Sequence, residues 1–161
     1  MNLIRYPNPI LNQKSEECTE ADLPLIKESL PRMTQIVDGL KAAGLAAVQV
    51  GISKRFCIVK DHAGKNNLLI NPELVEGLDL TSMREGCLSL PFFFESIDRF
   101  EEVTVKFKDE NWAEKTAVFT GIESQCLQHE LNHMNGTLIF DTVSKVKQDM
   151  WIKKAKKKGV L

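Results

Sequence analysis

A pair of histidines constrains the local fold of this chain more than any other feature. His129-Glu130-Leu131-Asn132-His133 has the form H-E-x-x-H, and only 3 histidines occur in 161 residues. Residues four positions apart in an α-helix lie on one face, so both imidazoles can hold one metal ion. Glu130 can then reach a water on that metal and move its protons. The alternative is a helix whose histidines only cap or pack, and we favour the metal site.

The residues around this motif predict the ends of its helix. Thr120 and Glu123 have the spacing of a capping box, in which each side chain bonds the other residue's amide. Gly136 stands where a left-handed residue commonly ends a helix. We therefore expect a helix from Gly121 to Asn135. Its inner face would carry apolar and metal-binding side chains together, namely Ile122, Cys126, His129 and His133.

A catalytic site of this type needs a third protein ligand. One protease pattern places a further His six residues after the second, but Ile139 occupies that position. Another takes a later Glu, and only Asp141 and Asp149 follow His133 as carboxylates. His62 lies in a polar stretch that predicts a loop. Cysteine is the remaining ligand type.

Four cysteines are present, and Cys87 is the best candidate among them. It follows Gly86, which permits unusual backbone angles or close approach. Cys57 lies in an apolar run typical of a core strand, Cys18 in a polar stretch, and Cys126 on the motif helix. Each thiol could instead be a small buried hydrophobe, and sequence proximity does not decide between these interpretations. Disulfides are not expected if the protein is intracellular.

Three segments together resemble the peptide deformylase family. Residues 42–49, AAGLAAVQ, are similar to G-x-G-L-A-A-x-Q; residues 85–89 match E-G-C-L-S; residues 128–133 are similar to Q-H-E-x-D-H. The segment from Ile4 to Leu11 is similar to that family's N-terminal strand. The resemblance covers nearly the whole chain, and its second and third segments form a specific pair.

The resemblance implies a metal held by Cys87, His129 and His133, with a water in the fourth position. In the family the metal is usually Fe(II), and zinc, nickel or cobalt can occupy the same site. The affinity of a Cys-His-His ligand set does not by itself determine which of these metals is bound. The implied reaction removes the N-formyl group from the initiator methionine of newly made polypeptides and releases formate.

The same resemblance implies catalytic roles for Glu130, Gln49 and Leu88. Metal-bound water attacks the formyl carbonyl, and Glu130 takes the water proton and passes it to the leaving amine. The Gln49 side-chain amide and the Leu88 backbone N–H hold the oxyanion. Gly44 would let an extended peptide approach and add as a strand. The match places five residues in or beside the methionine pocket: Ala43, Leu90, Ile122, Gln125 and Cys126.

Several residues depart from the family pattern. Ala42 replaces a Gly, and Val48 stands where Pro is common. Asn132 replaces an Asp that typically pairs with an Arg, and Arg99 is the expected partner. Phe94 occupies a position where many bacterial members carry Arg. Residues 92–94, FFF, predict either a buried strand or a hydrophobic lip at the mouth of the cleft.

The length of the chain predicts a single domain over residues 1–161, and its hydrophobic pattern predicts an α+β fold. A helix is expected from Leu23 to Ala43, broken or kinked at Pro31, and a hairpin turn at 109–111. The class is α+β, with small, mostly antiparallel sheets packed around a central metal-bearing H-E-x-x-H helix and with a C-terminal helix. The predicted strands are Phe56–Lys60, Asn67–Ile70, Leu74–Leu78, Glu102–Lys108 and Thr116–Thr120.

The net charge of −1 gives no strong field toward nucleic acid, and we expect no specific DNA binding. The last helix should begin near Ser144 and turn Val146, Met150 and Ile152 or Trp151 inward. Its lysines predict either a solvated face or contact with the ribosome. No signal peptide or membrane span is visible, so we expect a cytoplasmic protein of a bacterium or a phage-infected host, an organelle being the alternative.

Two other functions are compatible with the motif. A general H-E-x-x-H endopeptidase would use the same water and Glu130, but its usual third ligand is missing. A metal-binding protein without catalysis would be expected to lose Glu130 or Gln49, and both are present. The sequence therefore favours N-formyl hydrolysis.

Overall fold

The computed structural model describes residues 1–161 and contains one antiparallel sheet and three α-helices. The strands are β1 (Gly44–Ala46), β2 (Phe56–Lys60), β3 (Asn66–Cys87), β4 (Leu90–Lys108) and β5 (Glu114–Thr120), and they neighbour one another in chain order. The helices are α1 (Leu23–Gly39), α2 (Gly121–Met134) and α3 (Lys145–Lys157). The α+β class is confirmed. The strands form one sheet rather than several because the β3–β4 pair is long enough to contact both β2 and β5.

The strand β2 divides the core into two layers. Side chains alternate along a strand, so Phe56 and Ile58 face one side and Cys57 and Val59 the other. The first pair packs in the cluster that contains α1 residues, and the second pair packs with α2 residues such as Leu127. The sheet therefore lies between α1 and α2, and β2 is buried on both faces.

Helix α1 is shorter than predicted and continues through Pro31. It ends at Gly39, and Lys41 adopts a left-handed φ of 52°, which turns the chain toward β1 before Ala43. Burial of Ile26, Met33 and Val37 on the sheet stabilises the helix on both sides of the proline.

The sequence predicted the C-terminal cap of α2 correctly but not its N-terminal capping box. Thr120 is the N-cap residue but makes no side-chain capping bond, and Glu123 instead accepts a hydrogen bond from the His62 amide. The predicted capping box is wrong because this loop competes for the carboxylate. At the other end, Gly136 has φ +74° and its amide bonds the His133 carbonyl, as expected for a left-handed C-terminal cap.

Helix α3 buries Trp151, as one of the predicted alternatives had it, but not Val146 and Met150. It starts after Ser144, whose hydroxyl accepts the Lys147 amide. Trp151 and Ala155 are buried, whereas Val146 and Met150 are exposed. Trp151 decides the orientation, because its ring packs on Tyr6, Phe93 and Phe140 and its indole N–H donates to the Pro91 carbonyl at 2.9 Å.

The turn between β3 and β4 shapes the mouth of the site. Cys87 pairs with Leu90 across the two-residue turn 88–89, but Gly86 pairs with Phe94, so residues 91–93 bulge from the ladder. Phe92 takes a left-handed φ of 63° at this bulge. Phe93 is buried, while Phe92 and Phe94 are 50% and 58% exposed. The segment is a strand, but two of its three aromatic rings form an exposed lip.

The N-terminal segment is not a sheet strand, in contrast to the expectation for residues 4–11. It contains a short 3-10 helix, Pro9–Asn12. The Ile4 amide donates to the Gln49 carbonyl at 2.7 Å, and the Tyr6 amide donates to the Ser89 carbonyl at 3.0 Å. None of the helices is both long and apolar enough to cross a membrane.

Candidate active site

Three donor atoms from two distant parts of the chain converge at the centre of the fold. Cys87 ends β3, and His129 and His133 lie one turn apart on α2. His133 Nε2 lies 3.4 Å from Cys87 Sγ and 3.1 Å from His129 Nε2, and all three donor atoms lie within 4.8 Å of one another. The two histidines are buried.

This cluster fits a divalent metal. Tetrahedral bonds of about 2.1 Å to nitrogen and about 2.3 Å to sulfur place ligand atoms roughly 3.3–3.6 Å apart. The distances from His133 Nε2 to Cys87 Sγ and to His129 Nε2, 3.4 and 3.1 Å, are close to this range. Thiolate and imidazole donors suit zinc, iron, cobalt and nickel. The three residues converge as the sequence predicted. One side of the cluster faces the cavity described below, which Cys87 and His129 help to line.

A buried ion pair holds His129 in place. His129 Nδ1 lies 2.9 Å from Glu85 Oε1, which leaves Nε2 directed at Cys87 and His133. Arg99 binds Glu85 through two nitrogens, at 2.6 and 2.8 Å. Burial alone would raise the pKa of Glu85, but the hydrogen bonds from Arg99 and His129 outweigh it and lower the pKa to about 2. Glu85 is therefore ionised at every physiological pH.

The expected partner of Asn132 is confirmed. Arg99 Nη1 donates to Asn132 Oδ1 at 2.6 Å. Arg99 therefore connects the carboxylate of Glu85 on β3 with α2, and the amide of Asn132 serves as the acceptor without adding a second negative charge.

Glu130 lies beside the two histidines with one oxygen unpartnered. It is 3% exposed; Oε1 lies 3.8 Å from Cys126 Sγ, and the buried Oε2 has no hydrogen-bond partner. Burial raises the pKa of Glu130 to about 7, and the opposing contact with His129 is smaller. A carboxyl group with such a pKa can both accept and donate a proton near neutral pH.

Gln49 reaches the same point from the 3-10 helix Ala47–Val50. Its Oε1 accepts the Ala46 amide at 3.0 Å, so Nε2 must point the other way, 3.1 Å from Ser89 Oγ and 3.9 Å from Cys87 Sγ. Leu88 lies in the turn directly after Cys87 and also lines the cavity. Two nitrogen donors are thus positioned beside the cysteine.

A cavity of about 580 Å³ opens beside this cluster. Gly44, on the edge strand β1, forms part of its wall, and a side chain there would collide with Cys126 Sγ and the Ile58 carbonyl, each 2.6 Å from an added Cβ. Four of the predicted pocket residues line it: Ala43, Ile122, Gln125 and Cys126. Gln125 donates to the Arg84 carbonyl at 2.8 Å, which explains how a polar residue is accommodated.

Leu90 is the exception, and its predicted place in the pocket is corrected. Its side chain is fully buried in the cluster that contains Phe93, Phe140 and Trp151. The neighbouring Pro91 lines the cavity instead. The bulge that begins at Pro91 turns Leu90 into the core, and the family resemblance on which its predicted place rested did not reveal that bulge.

Sequence reasoning missed two residues that support the site. Glu85 orients His129, and Ser89 bridges Gln49 to the Ile4 carbonyl with a hydrogen bond of 2.7 Å. A signal for Glu85 was available, because residues two apart on a strand share a face and Glu85 precedes Cys87 by two. Nothing in the sequence placed Ser89 next to Gln49.

The arrangement defines the class first: a helix with H-E-x-x-H, a cysteine donor and a buried carboxylate in a cavity are typical of metal-dependent hydrolases. The family follows from comparison with known proteins. The model of the polypeptide deformylase family matches residues 1–149. A peptide deformylase of Mesorhizobium japonicum is 36% identical over 96% of this chain and 90% of its own length. One of Thermodesulfovibrio yellowstonii is 35% identical over 98% of both chains.

Solved structures agree. The crystal structure of peptide deformylase from Ehrlichia chaffeensis superposes with a TM-score of 0.90 at 32% identity, covering 99% of this chain and 96% of that one. A second structure of the Ehrlichia enzyme, in complex with actinonin, gives a TM-score of 0.90 at 33% identity over 98% and 96% of the two chains. The chain therefore belongs to the polypeptide deformylase family and is a hydrolase.

Proposed function

We propose that this chain removes the N-formyl group from the initiator formyl-methionine of newly made polypeptides and releases formate. Family membership supports the reaction class. The observation that carries the proposal is the convergence of a proton-transfer group, Glu130, and two nitrogen donors, Gln49 and Leu88, on one cavity beside Cys87, His129 and His133.

Cys87, His129 and His133 would hold one divalent metal, Fe(II) first, with zinc, nickel or cobalt as alternatives. When bound, such a metal supplies Lewis-acid chemistry that makes water nucleophilic near neutral pH and polarises a carbonyl. Glu85 keeps His129 in the tautomer whose Nε2 is unprotonated, because Nδ1 donates its proton to the carboxylate.

Glu130 acts as the proton carrier. Its unpartnered Oε2 accepts the proton of the attacking water, and the same oxygen returns it to the amine that leaves. The raised pKa, about 7, matches both steps because neither protonation state is strongly favoured at neutral pH. A positioned acid–base group of this kind contributes about 10²–10⁴-fold in rate.

Gln49 and Leu88 stabilise the negative charge that develops on the formyl oxygen. The bond between Ala46 and Gln49 Oε1 holds the amide with Nε2 toward the site before substrate arrives. Such preorganised donors cost no rearrangement during the reaction, and each is worth about 3–4 kcal/mol.

The substrate chain enters along β1. Because β1 is an edge strand, its free edge can pair with an extended peptide. This pairing uses main-chain hydrogen bonds and does not depend on the side chains that follow the methionine. Gly44 permits the close approach. The methionine side chain would occupy the part of the cavity lined by Ala43, Ile122, Gln125 and Cys126.

The decisive experiment measures formate release from a formyl-Met tripeptide by Fe(II)- or Ni(II)-loaded protein under anaerobic conditions. Wild type should release formate, Glu130→Gln should be slower by about 10²–10⁴-fold, and casein added alongside should stay intact. Absence of formate with a loaded site would overturn the proposal, and cleavage of casein would favour the endopeptidase.

The metal ligands are tested separately by metal content. Cys87→Ser and His133→Ala should lose the bound metal on dialysis, whereas Cys126→Ser, which changes a neighbouring thiol, should keep it. Equal metal content in all variants would contradict the assigned ligand set.

We also propose that α3 contacts the ribosome. Four lysines near the end of α3 and the one that follows it are exposed: Lys153, Lys154, Lys156, Lys157 and Lys158. A ribosome pelleting assay with these five lysines replaced by Gln should show reduced co-sedimentation at low salt. Unchanged co-sedimentation would refute the contact.

A further inference from the structure

Three cationic side chains line the active-site cavity, and the only carboxylates that line it, Glu85 and Glu130, are buried. Arg5, Lys41 and Arg84 line the cavity, all are exposed, and none forms an ion pair. They come from three separate segments: the N-terminal stretch, the loop after α1, and β3. With a net charge of −1 for the whole chain, this is a local concentration of positive charge.

Three carboxylates in or beside the cavity do not form ion pairs with these cations. Glu85 lines the cavity but is buried and bound by Arg99 and His129. Glu130 is buried among the residues that carry the chemistry. Glu95, which lies near enough to Arg84 to be affected by its charge, is paired with Lys147 at 2.6 Å. The three cations therefore remain available to an incoming ligand.

The aromatic lip holds cations at the mouth. The guanidinium carbon of Arg84 lies 5.6 Å from the ring centre of Phe94. Lys158, beyond the end of α3, places Nζ 4.8 Å from the ring centre of Phe92. Such contacts favour a cation over the ring face, so they hold both charges at the aromatic lip.

We propose that this mouth selects formyl-methionyl chains that carry acidic side chains in the residues following the methionine. The inference rests on the proposed function: the methionine occupies the inner cavity, so the following residues pass Arg5, Lys41 and Arg84. Unpaired cations in a partly enclosed site attract anionic groups and raise their local concentration. Backbone pairing along β1 does not depend on the substrate sequence. The side chains that follow the methionine are therefore the part of the substrate by which the mouth can distinguish one chain from another.

The test compares peptides that differ only in charge. Formyl-Met-Ala-Glu-Glu, formyl-Met-Ala-Gln-Gln and formyl-Met-Ala-Lys-Lys, all amidated at the C-terminus, are assayed for formate release by metal-loaded protein. At low salt kcat/KM for the Glu peptide should exceed that for the Gln peptide by roughly 3- to 10-fold, and the Lys peptide should be the poorest. The Glu-to-Gln ratio should fall toward one near 1 M salt, where the Debye length is about 3 Å.

Charge-neutral variants assign the effect to the mouth. The triple variant Arg5→Gln, Lys41→Gln, Arg84→Gln should bring the Glu-to-Gln ratio close to one, and the ratio within a single variant cancels any general loss of activity. The matched control, Lys14→Gln, Lys27→Gln, Lys65→Gln, removes the same charge from exposed residues that do not line the cavity and should keep the preference. If the triple variant does not fold, the three single variants and the salt series on wild type provide the same comparison.

Each outcome has a distinct meaning. Equal kcat/KM for the Glu and Gln peptides at low salt, preference for the Lys peptide, or a preference that survives in the triple mouth variant would overturn this inference and leave deformylation intact. Formate release from none of the peptides would overturn the proposed function together with it.

Discussion

Glu85 Oε1 lies 2.9 Å from His129 Nδ1, which joins the cysteine-bearing strand β3 to the histidine-bearing helix α2. Both groups are buried, and Arg99 neutralises the carboxylate from the other side. The contact fixes which imidazole nitrogen faces the cluster, so the donor set depends on a residue that is not itself a donor.

Glu85→Gln should weaken metal binding without removing any ligand. The amide cannot accept the His129 proton as strongly, and loss of such an outer contact typically costs about 10–100-fold in metal affinity. Competition with a chelator measures the affinity. Glu101→Gln, on an exposed residue of β4, should bind metal like wild type; equal affinity in both variants would argue against the orienting role.

The stability of the metal-free protein should fall in acid because of Glu85. Its pKa falls from 4.5 to about 2 on folding, which corresponds to about 3 kcal/mol of stability. A lowered carboxylate pKa means that this stability is fully present above pH 4.5 and is lost as the pH falls toward 2. Urea unfolding across that window should show a shallower pH dependence for Glu85→Gln; identical slopes would exclude Glu85 as the source.

Asn132→Ala should destabilise the fold by removing an acceptor from Arg99. The bond from Arg99 Nη1 is 2.6 Å long and involves a charged donor, for which the loss is about 1.5–3 kcal/mol. Asn132→Asp keeps an acceptor of the same shape and should retain the stability of wild type. Thermal unfolding of the two variants separates these cases, and an alanine variant as stable as wild type would refute the contribution.

Gly44→Ala should disturb both stability and activity. Its Cβ would lie 2.6 Å from Cys126 Sγ and from the Ile58 carbonyl, and the latter is backbone that cannot rotate away. Overpacking of this kind costs about 1–3 kcal/mol. Gly39→Ala meets no atom within 4 Å and should be neutral or stabilising by up to about 1 kcal/mol. Formate release and melting temperature measure both; a fully active Gly44→Ala would show that the close approach is unnecessary.

Much of the fold could be predicted because its signals are local. The bounds of β2 were predicted as they occur, and α2 ends one residue before the predicted end, with Gly136 as its cap. The site donors follow from the spacing of His129 and His133 and from the segment around Cys87. Periodicity and caps operate within a few residues, so the sequence alone contains them.

Tertiary structure decided which faces are covered and where the ladder breaks. The aromatic contacts of Trp151 turned Val146 and Met150 outward, and the bulge at 91–93 buried Leu90 and exposed Phe92. Glu123 accepts a hydrogen bond from the amide of His62 instead of capping α2 as predicted. Each outcome depends on competition between distant groups for one surface or one hydrogen bond. The sequence by itself therefore determined the helix, the donors and the family, whereas the packing of distant segments determined the support and the mouth of the site.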